Sequence, residues 1–458
     1  MPATTVRLPL IEAPENRAGD TLTDAKIING FIEPVSQQET WVFKRPGTQR
    51  LYTVPAGNGR GIYNWGGDIY FIVGGKLYKN GATLGPVDDD GSRYFFIGLL
   101  GATQKLFFKS SSRAYTYDPV GGIVRVDTQP NFPSLTAGGM AYLDGTLYVG
   151  DQNTSIYGSG INDPMTWNPL NVIQAQIESD RLIFITKQLA YVIAMKQWST
   201  EVFYDAGNAS GSPLGPVQGG KINFGCHRAA SVVEIDGALF WLGKTRSGSF
   251  SVLALDNLKP QIISTPAVER LIESSDVSQV TAWGWKVMGH TFYGLTLVNS
   301  DLTLVYDIRT QRWYQWEDAT GGHMPYYGST FTDDGHALVL QESEGEVYRV
   351  DGEIYLDDET PFTMTIVTPN FDGDTRKRKF LSNIDFITDQ VPGSLLTMSY
   401  SEDDYTTWST PKTVDLGTLR PRLTALGTFR RRAFKFTHSG AYPLRLKAIE
   451  MTLELGTL

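Results

Sequence analysis

Residues 67–81 read "GDIYFIVGGKLYKNG". Two short apolar runs flank a double glycine, and Asn80-Gly81 supplies a second turn. One such hairpin fits many folds, so its recurrence decides the matter. The frame is Gly or Gln, a variable residue, then a small apolar-aromatic run. It is found as "GDIYF" at 67, "QKLFF" at 104, "GTLYV" at 145, "QLAYV" at 188, "GALFW" at 237, "GHTFY" at 289 and "GHALV" at 335. The intervals are 37, 41, 43, 49, 52 and 46 residues. Three residues after each marker stand Tyr70, Phe107, Tyr148, Tyr191, Phe240, Phe292 and Leu338. The two Gln markers lack the turn glycine of the others.

"YLDGTLYVG", "EIDGALFWLG" and "FTDDGHALVL" share one grammar of strand, Asp-Gly turn and strand. Asp-Gly supplies the positive φ angles a two-residue hairpin needs. A period of about 40–50 residues with several strands per unit marks propeller blades. A lone blade cannot bury both faces, so a closed ring is required. The fold class read from this is all-β. A β-propeller of about seven blades, with six to eight allowed, is inserted between an N-terminal arm and a C-terminal antiparallel β-sandwich platform. The competing reading is an array of β-sandwiches with coincidental spacing. Helix is scarce. The best candidate is "TPAVERLIE" at 265–273, with Thr265 as N-cap and Pro266 at the first helical position.

The expected division is an N-terminal arm and part of the platform over 1–55, a propeller over 56–356, and a sandwich over 357–458. Past residue 356 the strands lengthen, as in "KFLSNIDFITD" and "LRLKAIEMTLEL". In the arm, "QETWVFKRPGTQRLYTV" reads as strand, Pro-Gly turn and strand.

The 458 residues, 41% hydrophobic and 12% aromatic with 47 glycines, suit many short strands and tight turns. A single cysteine, Cys226, excludes an internal disulfide framework. The opening "MPATTVRLPLIEAPEN" lacks a cationic start followed by an apolar run, so no secretory signal is expected. "LIFITKQLAYVIAM" is interrupted by Lys187 and Gln188 and is too short to span a bilayer. A soluble protein made in a cytoplasm is expected. The net charge of −9 is uneven: residues 361–458 hold 13 Lys and Arg against 10 Asp and Glu, or +3, leaving −12 elsewhere. An acidic body disfavours nucleic-acid wrapping, while a basic tail suits an acidic partner.

Catalytic constellations are sparse. "SEDDYTTW" at 401–408 matches the sialidase Asp-box at Ser401, Asp403, Thr407 and Trp408, with Tyr405 where Gly belongs. That box is a structural turn. A sialidase also needs three arginines gathered on a carboxylate and a Tyr–Glu pair. The sequence offers no framework for choosing them. His227, His290, His323, His336 and His438 lack zinc-site spacing. "DDDG" at 88–91 lacks the alternating ligands of a calcium loop and reads as a solvated turn. "GNGRG" at 57–61 has no following Lys-Ser/Thr and is not a phosphate loop. No catalytic residue, cofactor or metal ligand is assigned, and a non-enzyme is expected.

Two basic stretches remain as candidate docking or subunit contacts: Arg376, Lys377, Arg378 and Lys379, and Arg420, Arg422, Arg430, Arg431 and Arg432. On a strand, Arg376 and Arg378 would share one face, and Lys377 and Lys379 the other. A solvated sheet edge defended by charge, docking to an acidic protein, and contact with DNA phosphates all fit.

In order along the chain, "KRPGTQRLYTV", "GRGIYNWGGDIYFIVGGKLYKNG" and "QIESDRLIFITKQLAYVIAMKQWSTEVFYDAGN" resemble the packaged-DNA stabilisation proteins of short-tailed bacteriophages, also called tail hub or nozzle proteins. "STEVFYDAG" is the most specific part. The C-terminal third matches in character more than in motif. The resemblance implies a structural virion protein of the tail, assembled in the host cytoplasm. It implies a homo-hexameric ring below the portal and an adaptor (head-to-tail connector) protein. That ring extends the channel and helps retain packaged double-stranded DNA, which passes without sequence-specific binding and is conducted at ejection. A plug or needle and tail fibre or spike proteins are the implied partners, with no membrane anchor. The alternative is a glycan-binding or glycan-cleaving tail-associated propeller, and a scaffold propeller with no viral role is a third reading.

Overall fold

The computed structural model describes residues 4–10, 24–35, 40–208 and 210–456. Parts of the N-terminal arm, residues 1–3, 11–23 and 36–39, lie outside the described residues. Seven mainly antiparallel sheets follow one another around a ring. Blades 1 to 6 are drawn from 59–86, 95–125, 141–174, 182–216, 225–262 and 280–315, and the short strand Gly138–Gly139, just before blade 3, joins the edge of blade 4. Blade 7 has three strands of its own within 326–351, and the strand Gly47–Thr53 completes it. The seven repeat positions, Tyr70 through Leu338, each fall on the second main strand of a blade. Aromatic and branched side chains there are sealed between successive sheets. Tyr70 meets Leu106 and Phe108 of blade 2, and Phe107 of blade 2 meets Leu147 and Val149 of blade 3.

The turns take the predicted form. Asn80 and Gly81 have φ of 48° and 84°, Asp144 and Gly145 48° and 83°, Asp236 and Gly237 53° and 79°. The single α-helix among the described residues is Pro266–Glu273, with the Thr265 hydroxyl accepting from Val268 N at 3.4 Å.

The arm does not form a hairpin. Thr40–Lys44 pairs with Gly30–Pro34 and with the C-terminal strand Arg445–Leu455. The chain then turns at Arg45-Pro46, and Gly47–Thr53 pairs antiparallel with Glu346–Asp351. The sequence places this strand in the arm, whereas in the structure it closes the propeller. Joining the two chain ends of the ring in one blade makes opening cost a whole strand pairing. Gly47 permits the crossing, since a Cβ there would lie 1.9 Å from the Leu356 carbonyl oxygen.

The platform is two layers. One sheet holds Gly30–Pro34, Thr40–Lys44, Arg445–Leu455, Lys379–Thr388 and Arg422–Thr424, with Thr4–Arg7 and Thr428–Phe429 at its margins. The other continues blade 6. Lys26–Ile28 runs parallel to the outer strand Arg312–Gln315 and antiparallel to Met364–Val367, followed by Ala433–His438, Leu395–Ser401 and Lys412–Asp415. Side chains alternate in and out along these strands, as a half-covered sheet requires. One hydrophobic core runs without a break from Trp283, Phe292 and Tyr326 of blades 6 and 7 to Ile384, Leu446 and Met451 of the platform. Propeller and platform are therefore one packed body at this junction.

Candidate interaction surfaces

The basic stretches divide by burial. Arg376, Lys377 and Arg378 precede the strand that begins at Lys379, and all three are exposed. The expected two-faced strand pattern over 376–379 is therefore corrected: three residues lie in a loop and the fourth points inward. Lys379 is buried, and its ammonium donates to the carbonyls of Thr375 at 2.6 Å, Lys377 at 3.1 Å and Arg430 at 2.9 Å. Burial lowers its pKa. Arg432 is also corrected. It is 1% exposed, stacked 3.7 Å from the Tyr400 ring centroid and 4.5 Å from that of Phe429. Its guanidinium donates to the Leu426 carbonyl at 2.7 Å and pairs with Glu402. Both are core struts, not docking residues. Arg422 is exposed but held by Asp385 through two hydrogen bonds, at 2.6 and 3.0 Å. Arg431 pairs with Asp404 at 3.2 Å. Arg420 and Arg430 are exposed. The solvent-facing cations are thus Arg376, Lys377, Arg378, Arg420, Arg422, Arg430 and Arg431.

The Asp-box is a formed turn. Asp403 accepts from the Ser401 hydroxyl at 2.8 Å, from Thr407 N at 2.9 Å and from the Thr407 hydroxyl at 2.5 Å. These bonds hold its carboxyl down to about 2. Tyr405 sits at φ 70°, the left-handed conformation that Gly would otherwise serve. Its ring contacts a small core of Val367 and Ala433, and its hydroxyl reaches the Thr368 carbonyl at 3.2 Å.

"DDDG" is not a solvated turn. Asp90 is half-buried and accepts from the hydroxyls of Ser110 at 2.6 Å and Ser112 at 2.7 Å, and from Ser112 N at 3.0 Å. It ties the blade 1 to blade 2 connection to the next hairpin. "STEVFYDAG" likewise has a structural cause. Lys196 is fully buried with Asp180 at 3.1 Å and Glu201 at 2.6 Å. Asp180 also accepts from Trp198 N and Ser199 N at 2.8 and 3.0 Å, and Glu201 from Ile177 N at 3.0 Å. Two carboxylates and one ammonium thus pin the connection between blades 3 and 4. The histidines are dispersed: His290 meets Asp307 at 2.7 Å, His323 meets Asp301 at 2.6 Å, and His438 meets Ser394 at 2.8 Å. Among the described residues no group of three His, Cys, Asp or Glu could hold a metal ion.

The propeller axis carries a site that sequence reading did not single out. Arg93, just before the inner strand of blade 2, donates to the Ala230 carbonyl of blade 5 at 2.9 Å and lies 3.5 Å from the Ala282 carbonyl of blade 6. A Cβ on Gly328 of blade 7 would come within 2.7 Å of its Nη2. Arg93 therefore bars the axis. On one side of it lies a cavity of about 330 Å³, whose lining includes Arg93, Arg181 and Arg228 and no Asp or Glu. Three arginines do gather, as a sialidase would need, but the acid of a Tyr–Glu pair is missing from the lining. One sequence signal existed. "GSRYFF" at 91 and "SDRLIF" at 179 place an arginine at the same point before an inner strand, an internal match outside the hairpin marker.

A ring of blades closed by an N-terminal strand and fused to a β-sandwich defines a β-propeller protein with a sandwich platform. The family model described as "Bacteriophage P22 Gp10, beta-propeller" matches residues 24–355. The chain belongs to this family, whose members are structural proteins of phage tails. Similar solved structures include the extracellular domain of a candidate one-component system of B. thetaiotaomicron, with a TM-score of 0.43 and 10% identity. It covers 66% of this chain and 40% of that one. The computationally designed Ika8 protein gives a TM-score of 0.41 and 11% identity, covering 66% of this chain and 99% of that one. This chain thus spans less than half of the first structure and nearly all of the second. No curated protein matches. Among the described residues no helix is long and apolar enough to cross a membrane.

Proposed function

We propose that this protein is the nozzle or hub of a short phage tail. It forms a homo-hexameric ring beneath the portal and adaptor, extends the channel, helps retain packaged DNA, and conducts it at ejection. The observation that carries this reading is the family match over 24–355. The barred propeller axis supports a channel formed between subunits. Arg93 crosses the axis, and a Cβ on Gly138 would lie 2.3 Å from the Ala229 Cβ. Duplex DNA cannot thread a single propeller, so the conduit lies between subunits. The body outside 361–458 carries −12. A wall of that sign repels phosphate and lets DNA slide, because retention on a surface needs Lys and Arg. The exposed Arg376, Lys377, Arg378, Arg420 and Arg430 give the platform an opposite sign for contact with an acidic adaptor surface or neighbouring subunit. Plug or needle and fibre or spike proteins are the further partners of this reading. Electron microscopy of the protein mixed with its phage's portal–adaptor complex tests it. A six-fold ring seated on the adaptor is expected, and a monomer that never binds would refute it.

A further inference from the structure

The axial cavity is unusual in sign. The chain as a whole is −9, yet this cavity brings together Arg93, Arg181 and Arg228 with no acidic residue in its lining. Arg93 and Arg181 stand ahead of the first long strands of blades 2 and 4, and Arg228 lies in blade 5 between the short strands Gly225–Cys226 and Val233–Ile235. Closure of the ring, not local sequence, assembles them.

A buried lysine stands behind the wall, its pKa lowered by burial to about 7. Lys109 is fully buried, and its ammonium donates to the hydroxyl of Thr136, a lining residue, at 3.2 Å. The Arg93 guanidinium and the Lys109 ammonium lie 5.7 and 5.9 Å from the Phe95 ring centroid. Asp90 also stands behind the wall, an ionised carboxylate held by the hydroxyls of Ser110, Ser111 and Ser112 and outside the cavity lining. No carboxylate among the described residues forms an ion pair with Arg93, Arg181 or Arg228. Arg181 and Arg228 are exposed, and among the described residues neither guanidinium takes a side-chain partner. Cations converging on a partly enclosed space repel one another unless an anion joins them, and guanidinium forks suit carboxylate and phosphate oxygens.

We propose that this cavity binds a small oxyanion, a carboxylate- or phosphate-bearing molecule, at the propeller axis. Its volume of about 330 Å³ fits a compact ligand and excludes a nucleic-acid duplex. Arg93 forms the floor, Arg181 and Arg228 close on the oxyanion from the rim, and the aromatic rings of Phe95 and Tyr327 offer an apolar wall. The site is one of binding, since no acid or base lines it for hydrolysis. The proposal does not depend on the nozzle reading.

The test is calorimetric titration of the full-length protein at constant ionic strength in an oxyanion-free chloride buffer. The probes are inorganic phosphate and citrate. Saturable binding of one molecule per chain is expected for at least one probe. Phosphate alone would point to a phosphate-bearing ligand, and citrate alone to a carboxylate. Arg181→Gln and Arg228→Gln, both exposed and so compatible with folding, should each weaken binding tenfold or more. Lys259→Gln, an exposed cation on the outer strand of blade 5, should leave it unchanged. Absence of saturable binding to both probes would overturn the proposal. So would binding that the two rim substitutions change by less than twofold.

Discussion

Arg45 and Asp357, 312 residues apart, meet in a two-pronged ion pair, Nη1 to Oδ1 at 2.9 Å and Nη2 to Oδ2 at 2.5 Å. The Arg45 guanidinium is fully buried, lies 3.7 Å from the Phe362 ring centroid, and donates to Asn29 Oδ1 at 2.9 Å and to the Glu317 carbonyl at 3.0 Å. One side chain thus joins the arm, blade 6 and the start of the platform. Arg45→Leu strands Asp357 and the acceptors on Asn29, Glu317 and Pro46, whose carbonyl takes Arg45 Nη1 at 3.0 Å, so a loss of about 3–5 kcal/mol is expected. Urea unfolding of both proteins measures it, and a loss below about 1 kcal/mol would contradict the assigned role.

Lys196→Met leaves Asp180 and Glu201 buried without their shared cation. A destabilisation of about 3–5 kcal/mol is expected. Adding Glu201→Gln to that variant removes one buried charge and should restore part of it. A double-mutant cycle by thermal unfolding checks the sign of the coupling.

His438 is buried beside Lys44, and desolvation followed by that charge lowers its pKa from 6.5 to about 4. The folded protein holds the ring neutral, while the unfolded chain takes up a proton below 6.5. The unfolded state therefore binds more protons between about pH 4 and 6.5, and stability falls as pH falls through that window. The shift corresponds to roughly 3 kcal/mol. Unfolding midpoints at pH 7 and pH 5 should differ more in the native protein than in His438→Gln. Equal differences would assign the acid sensitivity elsewhere.

Tyr405→Gly trades backbone strain against a buried ring. Relief at φ 70° is worth about 1–3 kcal/mol, and loss of an aromatic side chain from a core costs about 3–5 kcal/mol. Net destabilisation of roughly 2 kcal/mol is expected by chemical denaturation. A stabilised variant would show that strain dominates.

Charge reversal separates platform surface from platform core. Arg376→Glu with Arg378→Glu, and Arg430→Glu with Arg431→Glu, should change stability by less than about 1 kcal/mol, because all four are exposed. Both pairs should fail to join the adaptor in a reconstitution assay. Arg432→Glu should instead unfold the platform, since it places a carboxylate against Glu402 and the Tyr400 ring. Normal assembly of the exposed variants would remove these cations from the interface.

Much of the ring was legible in the sequence because its signals are local. A two-residue turn demands positive φ, so Asp144-Gly145 and Asp236-Gly237 could be read as hairpins in isolation. The same holds for the N-cap at Thr265, which depends on residues three positions away. The repeat spacing then counted the second strand of every blade. Charge patterning told less. "RKRKF" and "RRR" look alike residue by residue, yet Lys379 and Arg432 are buried and their neighbours are not.

The sequence by itself determined the all-β class, the recurrent hairpin and the change of grammar near residue 356, since short-range backbone preference and alternation carry these. Only the tertiary structure decided that Gly47–Thr53 belongs to blade 7, that Arg45 finds Asp357, and that Arg93, Arg181 and Arg228 share one cavity. These pairings span the length of a closed ring. Residues at the same level of different blades become neighbours only when the last blade meets the first, and no local pattern records that meeting.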